Sequence, residues 1–137
     1  MHRVLIVDDD PASRAVTAAQ FRDEGFKVAT AADGYLAIAA MQRGSVDLIV
    51  SDVMMPNLGG VRLVELLRNQ GLQVPVILLT GMSEPPRHQA DALIRKPYSI
   101  DELMECVDDL LRTRHAGTAG LLREPWIDAH LMADVGA

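Results

Sequence analysis

The chain has 137 residues, enough for one domain, and a formal net charge of −6 at pH 7. An acidic balance argues against a nucleic-acid-binding face, because a phosphate backbone requires clustered lysine and arginine. The single cysteine, Cys106, excludes an internal disulfide and fits a reducing compartment, and no apolar run approaches the length of a membrane span. We therefore expect a cytoplasmic domain with neither nucleic acid nor membrane as a partner.

The first predicted strand, residues 4–7, ends in the three carboxylates Asp8, Asp9 and Asp10. Asp10 is expected to cap the following helix, because Pro11 then occupies the first helical position, where proline is tolerated. Capping leaves Asp8 and Asp9 unexplained, and adjacent carboxylates repel one another unless a cation offsets their charge. Hydrated Mg²⁺ is a hard cation that binds through one or two carboxylates, so this pair is a candidate magnesium site.

The first two helices are assigned from their apolar periodicity. The first is predicted to end at Gly25 and to bury a stripe of small apolar residues, with Phe21 outside the stripe. That stripe consists of Ala12, Ala15, Val16 and Ala19. A strand over residues 27–31 follows, Asp33-Gly34 is predicted to form a turn or helix cap, and a second helix runs from there to about residue 43. Its inward-facing side chains are predicted to be Ala37, Ile38 and Met41.

Residues 47–52 form a short apolar run that ends at Asp52 and is followed by a turn containing Pro56. Such a run is typical of a strand that is buried on both faces in a parallel sheet. Considered alone, Asp52 fits a turn-starting aspartate better than a functional carboxylate, because aspartate is common at turns. Its interpretation therefore depends on what the other strands place beside it.

Two further strands supply those neighbours. Residues 76–79 are predicted as a buried strand that presents Thr80, and residues 92–95 as a thin strand that leads into Lys96. With a third helix over residues 61–70, strands and helices alternate along the chain. This alternation predicts a doubly wound α/β domain with a five-stranded parallel sheet.

One edge of that sheet collects three acids, a hydroxyl and an ammonium group, because the carboxyl ends of parallel strands meet there. The side chains concerned are Asp8, Asp9, Asp52, Thr80 and Lys96. The set suits phosphoryl transfer onto a carboxylate, since aspartate is an established covalent nucleophile. Lys96 would stabilise charge on the phosphoryl group, and the Thr80 hydroxyl would donate to one of its oxygens.

The same residues, in this order after these strands, resemble the response-regulator receiver domain of two-component signalling. The resemblance extends from residue 4 to about residue 114. It also rests on Met55-Pro56, with Gly60 beyond it, and on Lys96-Pro97-Tyr98. Each motif is weak singly, whereas the full set in the right order is a specific signal.

The resemblance implies a flavodoxin-like receiver fold in which Asp52 accepts phosphate from a histidine kinase or a histidine phosphotransfer protein. The implied Mg²⁺ ligands are Asp9, Asp52 and the backbone carbonyl of Met54, with Asp8 alongside, often through water. It also implies a cis Lys96–Pro97 bond. Such a domain is a signalling module rather than an enzyme, and it catalyses only its own phosphorylation and dephosphorylation.

Two departures from the family pattern concern the output surface, which is formed by the fourth-helix region, the fifth strand and the last helix. Members commonly carry Tyr or Phe in the fifth strand, where this chain has Leu93. The 15 residues 81–95 include Pro85 and Pro86, so a full fourth helix hardly fits. We expect a shortened fourth-helix region and a reshaped surface for a downstream protein partner. The sequence leaves open whether the usual switch between threonine and an aromatic side chain operates.

The last helix is predicted from an apolar stripe that consists of Ile100, Leu103, Met104, Val107, Leu110 and Leu111. We assign residues 1–114 to the receiver domain and residues 115–137 to a linker with a short C-terminal apolar segment. That segment is expected to pack beside the fifth strand, within its own chain or on a second copy. A homodimer could therefore form through this tail or through the output surface, and a stand-alone receiver and a piece of a longer chain fit equally.

Three classes of function remain open from the sequence. A phosphorylatable receiver is favoured, and a receiver-like binding module regulated without phosphate is the alternative, supported by Leu93 and the shortened crossover. An aspartyl-phosphate phosphatase is less favoured: residues 8–10 have its Asp-x-Asp spacing, but the expected threonine does not follow.

In the receiver family, the residues two after the acceptor and two after the threonine flank the path of the hydrolytic water. Here they are Met54 and Met82, which predicts slow self-dephosphorylation because thioethers orient water poorly. The alternative is that the shortened loop carries Met82 away from the site.

Overall fold

A computed structural model describes residues 2–118 of the chain, with side chains described as far as residue 113. This part contains five strands and four helices, which alternate except between the last two strands. The elements are β1 (Arg3–Val7), α1 (Pro11–Asp23), β2 (Lys27–Ala31), α2 (Gly34–Met41), β3 (Leu48–Asp52), α3 (Gly60–Asn69), β4 (Val76–Thr80), β5 (Ala92–Arg95) and α4 (Ile100–Thr118).

The strands form one parallel sheet in the order β2-β1-β3-β4-β5. Ile6 of β1 pairs with Val50 of β3, and Val50 pairs with Ile77 of β4, so the central strands lie in a continuous register. The chain starts at a central strand, moves to one edge and returns to build the other half, which is a doubly wound topology. The predicted five-stranded receiver fold is confirmed, and every strand ends at the same edge of the sheet.

The core has two layers because successive side chains of a strand point to opposite faces of the sheet. In β1, Leu5 and Val7 belong to the layer covered by α2 and α3, whereas Val4 and Ile6 belong to the layer covered by α1 and α4. The predicted inward face of α2 is confirmed by buried Ala37, Ile38 and Met41. In α4, the apolar stripe is also confirmed, with Leu103, Val107 and Leu111 buried and its other members half-buried.

The predicted inner stripe of α1 was wrong. Its four residues, Ala12, Ala15, Val16 and Ala19, are exposed. The buried positions are instead Thr17, Ala18 and Phe21, and Phe21 also packs edge-on against Phe26 with 5.2 Å between ring centroids. One phenyl ring removes far more apolar area from water than a single alanine methyl group does, so Phe21 favours the face of the helix that turns inward.

The connection between β4 and β5 contains no helix in residues 81–91, so the expected shortening of the fourth-helix region is complete. The end of this connection is fastened by Asp91, whose Oδ2 accepts hydrogen bonds from Arg68 Nη2 at 2.9 Å and from Val76 N at 2.8 Å. Arg68 also donates from Nη1 to the carbonyl of Val74 at 3.0 Å. A network of side chain and backbone therefore holds the start of β5 beside the start of β4.

The last helix, α4, continues to Thr118, four residues past the predicted boundary of the receiver domain, while the assignment of residues 115–137 to a linker and a C-terminal segment stays a prediction. The apolar segment expected near Trp126, and its packing beside β5, lie outside the described residues. Within residues 2–118, no helix is both long and apolar enough to cross a membrane.

Candidate functional site

Three carboxylates converge at the carboxyl edge of the sheet. Asp8 and Asp9 follow β1, and Asp52 is the last residue of the neighbouring strand β3. One oxygen from each side chain lies within 4.8 Å of the other two. Asp8 is 4% exposed and Asp52 is 8% exposed, whereas Asp9 is exposed to solvent. Two buried acids and one exposed acid thus share a single small volume.

Hydrogen bonds with the start of α1 and with β2 hold Asp8 in place. Asp8 Oδ1 accepts a hydrogen bond from Asp10 N at 3.0 Å, and Asp8 N donates to the Ala31 carbonyl at 3.0 Å. Asp10 caps the helix, as predicted, by accepting from Ser13 N at 3.1 Å. Arg14 donates from Nη1 to the Asp8 carbonyl at 2.7 Å, a contact that the sequence did not indicate. These bonds direct the side chain of Asp8 into the site, and one of its two carboxylate oxygens accepts no hydrogen bond from the backbone.

Lys96 supplies the cation of the site. Its Nζ lies 3.0 Å from Asp52 Oδ1, and its backbone N donates to the Thr80 carbonyl at 2.8 Å, which places it at the end of β5 beside β4. The Lys96–Pro97 peptide bond is cis, as the family resemblance implied. Although Asp52 Oδ1 is buried, its approach to Lys96 is an ion pair without the alignment of a hydrogen bond, and the oxygen accepts no other bond among the described residues.

The electrostatics of Asp52 follow from this placement. The pKa of Asp52 is raised from 3.8 to about 6: burial is the largest cause of the rise, Lys96 opposes it, and the neighbouring Asp8 adds to it. Burial lowers the pKa of Lys96, but the carboxylates of Asp52 and Asp8 outweigh this, so its pKa lies above its ordinary value. The pair is therefore an acid that loses its proton reluctantly beside an ammonium group that keeps its own.

Thr80 and Met54 lie at the same edge but take no part in the cluster of acids. Thr80 is 3% exposed at the end of β4, and its Oγ1 accepts a hydrogen bond from Met82 N at 3.0 Å. Met54 lies just beyond β3 with its side chain 70% exposed, and Met82 is 36% exposed. The structure thus brings Asp8, Asp9, Asp52 and Lys96 together, while roles for Thr80 and for the Met54 carbonyl remain predictions.

Sequence reasoning missed the contacts that hold the loop after Asp52. Asn57 adopts a left-handed backbone conformation with φ of 65°, and its Nδ2 donates to Asp33 Oδ2 at 2.9 Å. Asp33 was assigned only to a turn or helix cap, and the cap is confirmed by its Oδ1, which accepts from Leu36 N at 2.9 Å. The contact between Asn57 and Asp33 joins residues 24 positions apart, so no periodic pattern in the sequence indicates it.

The donor set fits Mg²⁺. Hard oxygen ligands from one or two carboxylates, together with space for water, are what this cation requires. Here two buried acids and one exposed acid offer three oxygens, and the exposed position of Asp9 leaves room for water. Among the residues whose side chains the structure describes, no cysteine or histidine joins this group of acids, which disfavours zinc and copper.

Comparison with known proteins gives the family. The family model described as response regulator receiver domain matches residues 4–108. The probable transcriptional regulatory protein TcrX of Mycobacterium tuberculosis is 36% identical over 115 residues, which cover 80% of this chain and 49% of that protein. The chain thus spans about half the length of this curated relative.

Solved structures agree with this match. The receiver domain of the Francisella response regulator 1452 is 32% identical, with a TM-score of 0.77, over 82% of this chain and 98% of that one. The response regulator TrrA of Thermotoga maritima, solved in complex with Mg²⁺-BeF, is 32% identical with a TM-score of 0.74, over 80% of this chain and 99% of that one. Both the sequence profile and the fold therefore lead to one conclusion: the chain belongs to the response regulator receiver domain family.

Proposed function

We propose that Asp52 accepts a phosphoryl group from a histidine kinase or a histidine phosphotransfer protein. The observation that carries the proposal is the setting of this carboxylate, buried at the end of β3, 3.0 Å from Lys96 and grouped with Asp8 and Asp9. Receiver domains are signalling modules of two-component systems and bind Mg²⁺ at an acidic pocket. The proposal assigns both properties to named residues of this chain.

The residues that would hold Mg²⁺ are Asp8, Asp9, Asp52 and the backbone carbonyl of Met54. When bound, the cation neutralises the acids and the oxygens of the incoming phosphoryl group. Asp9 lies on the side of the site where the cation and its water ligands would exchange with solvent, because Asp9 is exposed while Asp8 and Asp52 are buried.

Asp52 acts as the nucleophile. One of its carboxylate oxygens forms a bond to phosphorus while the bond between phosphorus and the donor imidazole nitrogen breaks, and the electron pair leaves with that nitrogen. Lys96 then pairs with the charge on the phosphoryl oxygens, since its Nζ already lies beside Asp52 Oδ1. Thr80 can donate its hydroxyl proton to a phosphoryl oxygen, because its present bond uses the oxygen only as an acceptor.

Output is proposed through the surface made by residues 81–91, β5 and α4. Leu93, in the position where an aromatic side chain is common, is half-buried and packs against the core layer of α2 and α3. A packed leucine cannot report phosphorylation by rotating a ring between two positions. The helix-free connection between β4 and β5 therefore carries the change to a downstream protein partner, or to a second copy of the chain.

These two features also favour the second candidate, a receiver-like module that binds its partner without phosphate. Incubation of the full chain with acetyl phosphate and Mg²⁺, read by intact mass, separates the two candidates. We expect the mass of one phosphoryl group to be added to the wild-type protein and to Asp108→Asn, an exposed control in α4, but not to Asp52→Asn. Labelling of Asp52→Asn would refute the acceptor, and an unlabelled wild type would favour the second candidate.

The remaining partner assignments stay predictions. The acidic net charge of −6 is the ground for expecting no nucleic-acid contact by this chain, whereas TcrX as a whole is described as a transcriptional regulatory protein. A cytoplasmic location is expected from the sequence alone. Turnover of a generic phosphomonoester by the wild-type protein would instead support a phosphatase.

A further inference from the structure

The loop that joins β3 to α3, residues 53–59, passes directly from the proposed acceptor to the proposed metal ligand at Met54. Its two ends are held by backbone hydrogen bonds, from Val53 N to the Leu79 carbonyl at 2.9 Å and from Gly60 N to the Val53 carbonyl at 3.1 Å. These bonds hold Val53 and Gly60, and further contacts hold the residues between them, so both sets of contacts determine where the Met54 carbonyl lies.

The middle of the loop is fastened to the first turn of α2. Gly34 N donates to the Leu58 carbonyl at 2.9 Å, and Asn57 Nδ2 donates to Asp33 Oδ2 at 2.9 Å. The approach is close, since a Cβ on Gly34 would lie 2.7 Å from Leu58 Cδ2 and 2.8 Å from the Leu58 carbonyl oxygen. Two successive loop residues thus bind two successive residues of another element.

Asp33 is central to this attachment because its two carboxylate oxygens accept hydrogen bonds from different segments of the chain. Oδ1 caps α2 by accepting from Leu36 N, and Oδ2 accepts from Asn57. Asp33 is 8% exposed, and the other buried carboxylates in the described residues are Asp8 and Asp52, both in the site itself. A helix cap alone needs one oxygen and no burial, so the second contact distinguishes Asp33 from an ordinary cap.

We propose that Asp33 is a positioning residue for the metal site. Through Asn57 it holds the β3–α3 loop, and with it the Met54 carbonyl, at the distance from the acids that Mg²⁺ binding requires. The inference rests on the proposed function, because it takes the Met54 carbonyl as a ligand. It also links the start of α2 to phosphorylation of Asp52, so that a change at either position affects the other.

The test compares variants that cut the contact between Asp33 and Asn57 with one that keeps it. Asp33→Ser retains a good cap for α2 but is too short to reach Asn57, and Asn57→Gly keeps the left-handed backbone without the donor. Asp33→Asn is the matched control, since one amide atom caps the helix and the other can donate to Asn57 Oδ1 after that amide turns over. It removes the charge and keeps the contact.

Two measurements on the full chain decide the outcome: Mg²⁺ affinity by calorimetric titration, and hydrogen exchange of the Gly34 amide without metal. We expect Asp33→Ser and Asn57→Gly each to weaken Mg²⁺ binding about tenfold, as loss of a supporting group around a metal site commonly does. Both should speed exchange of the Gly34 amide, and the double variant should bind Mg²⁺ no worse than either single one. Asp33→Asn should match the wild type.

Each contrary result has a distinct meaning. Suppose that the wild type binds Mg²⁺ and is phosphorylated. If Asp33→Ser and Asn57→Gly then bind Mg²⁺ with unchanged affinity, the positioning role is overturned and the proposed function stands. A loss in Asp33→Asn as large as in Asp33→Ser also overturns it, because the charge rather than the contact would then matter. A wild type that binds no Mg²⁺ and takes up no phosphoryl group contradicts both proposals.

Discussion

The raised pKa of Asp52 implies that the acceptor carboxylate destabilises the metal-free protein at neutral pH. The folded state holds the Asp52 proton up to about pH 6, whereas the ordinary value is 3.8. Between these values the folded state binds more protons than the unfolded state, so stability falls as pH rises. At about 1.4 kcal/mol for each pH unit, the loss reaches about 3 kcal/mol above pH 6.

Asp52→Asn removes the ionisable group and keeps its size and shape. In metal-free protein at pH 7.5, we expect the variant to exceed the wild type in free energy of unfolding by up to about 3 kcal/mol. The difference should shrink steadily as pH falls and be nearly lost at pH 4, where Asp52 is protonated in the wild type. Urea denaturation at a series of pH values, with EDTA present, measures both quantities.

The pH dependence is the decisive feature of this experiment, because any difference in packing between Asp and Asn is constant with pH. A stability difference that stays flat from pH 4 to pH 7.5 would refute the assignment of the raised pKa to Asp52. Asp108→Asn, exposed on α4, serves as the control and should follow the wild type. Added Mg²⁺ should stabilise the wild type and the control more than Asp52→Asn, because a ligand stabilises only the state that binds it.

Two further predictions concern the surroundings of Asp52. Met82→Glu should speed loss of the phosphoryl group from the phosphorylated protein by about tenfold, because a carboxylate can orient water and a thioether cannot; an unchanged rate of phosphate release would contradict this. Gly60→Ala should lower the free energy of unfolding by more than about 2 kcal/mol and impair phosphorylation, since its Cβ would lie 2.3 Å from the Asp52 carbonyl oxygen. Thermal denaturation checks this, and Gly81→Ala is the control because no atom lies within 4 Å of the added Cβ.

Much of the fold was determined by short stretches of sequence. The strands at Lys27–Ala31 and Ala92–Arg95 have the predicted bounds, and Asp10 caps its helix as expected, because strand runs and caps depend on neighbours in the chain. The convergence of Asp8, Asp52 and Lys96 also followed from the sequence, since parallel strands must end at one edge.

The tertiary structure decided the features that depend on distant contacts. The face of α1 that turns inward is set by Phe21 and not by the alanine stripe, because burial is a competition for area that periodicity in an alanine-rich helix does not resolve. The contact between Asp33 and Asn57 joins two turns that each look ordinary alone. The pKa of Asp52 is likewise a property of burial by surrounding elements and of the charges on Asp8 and Lys96, which no local sequence pattern specifies.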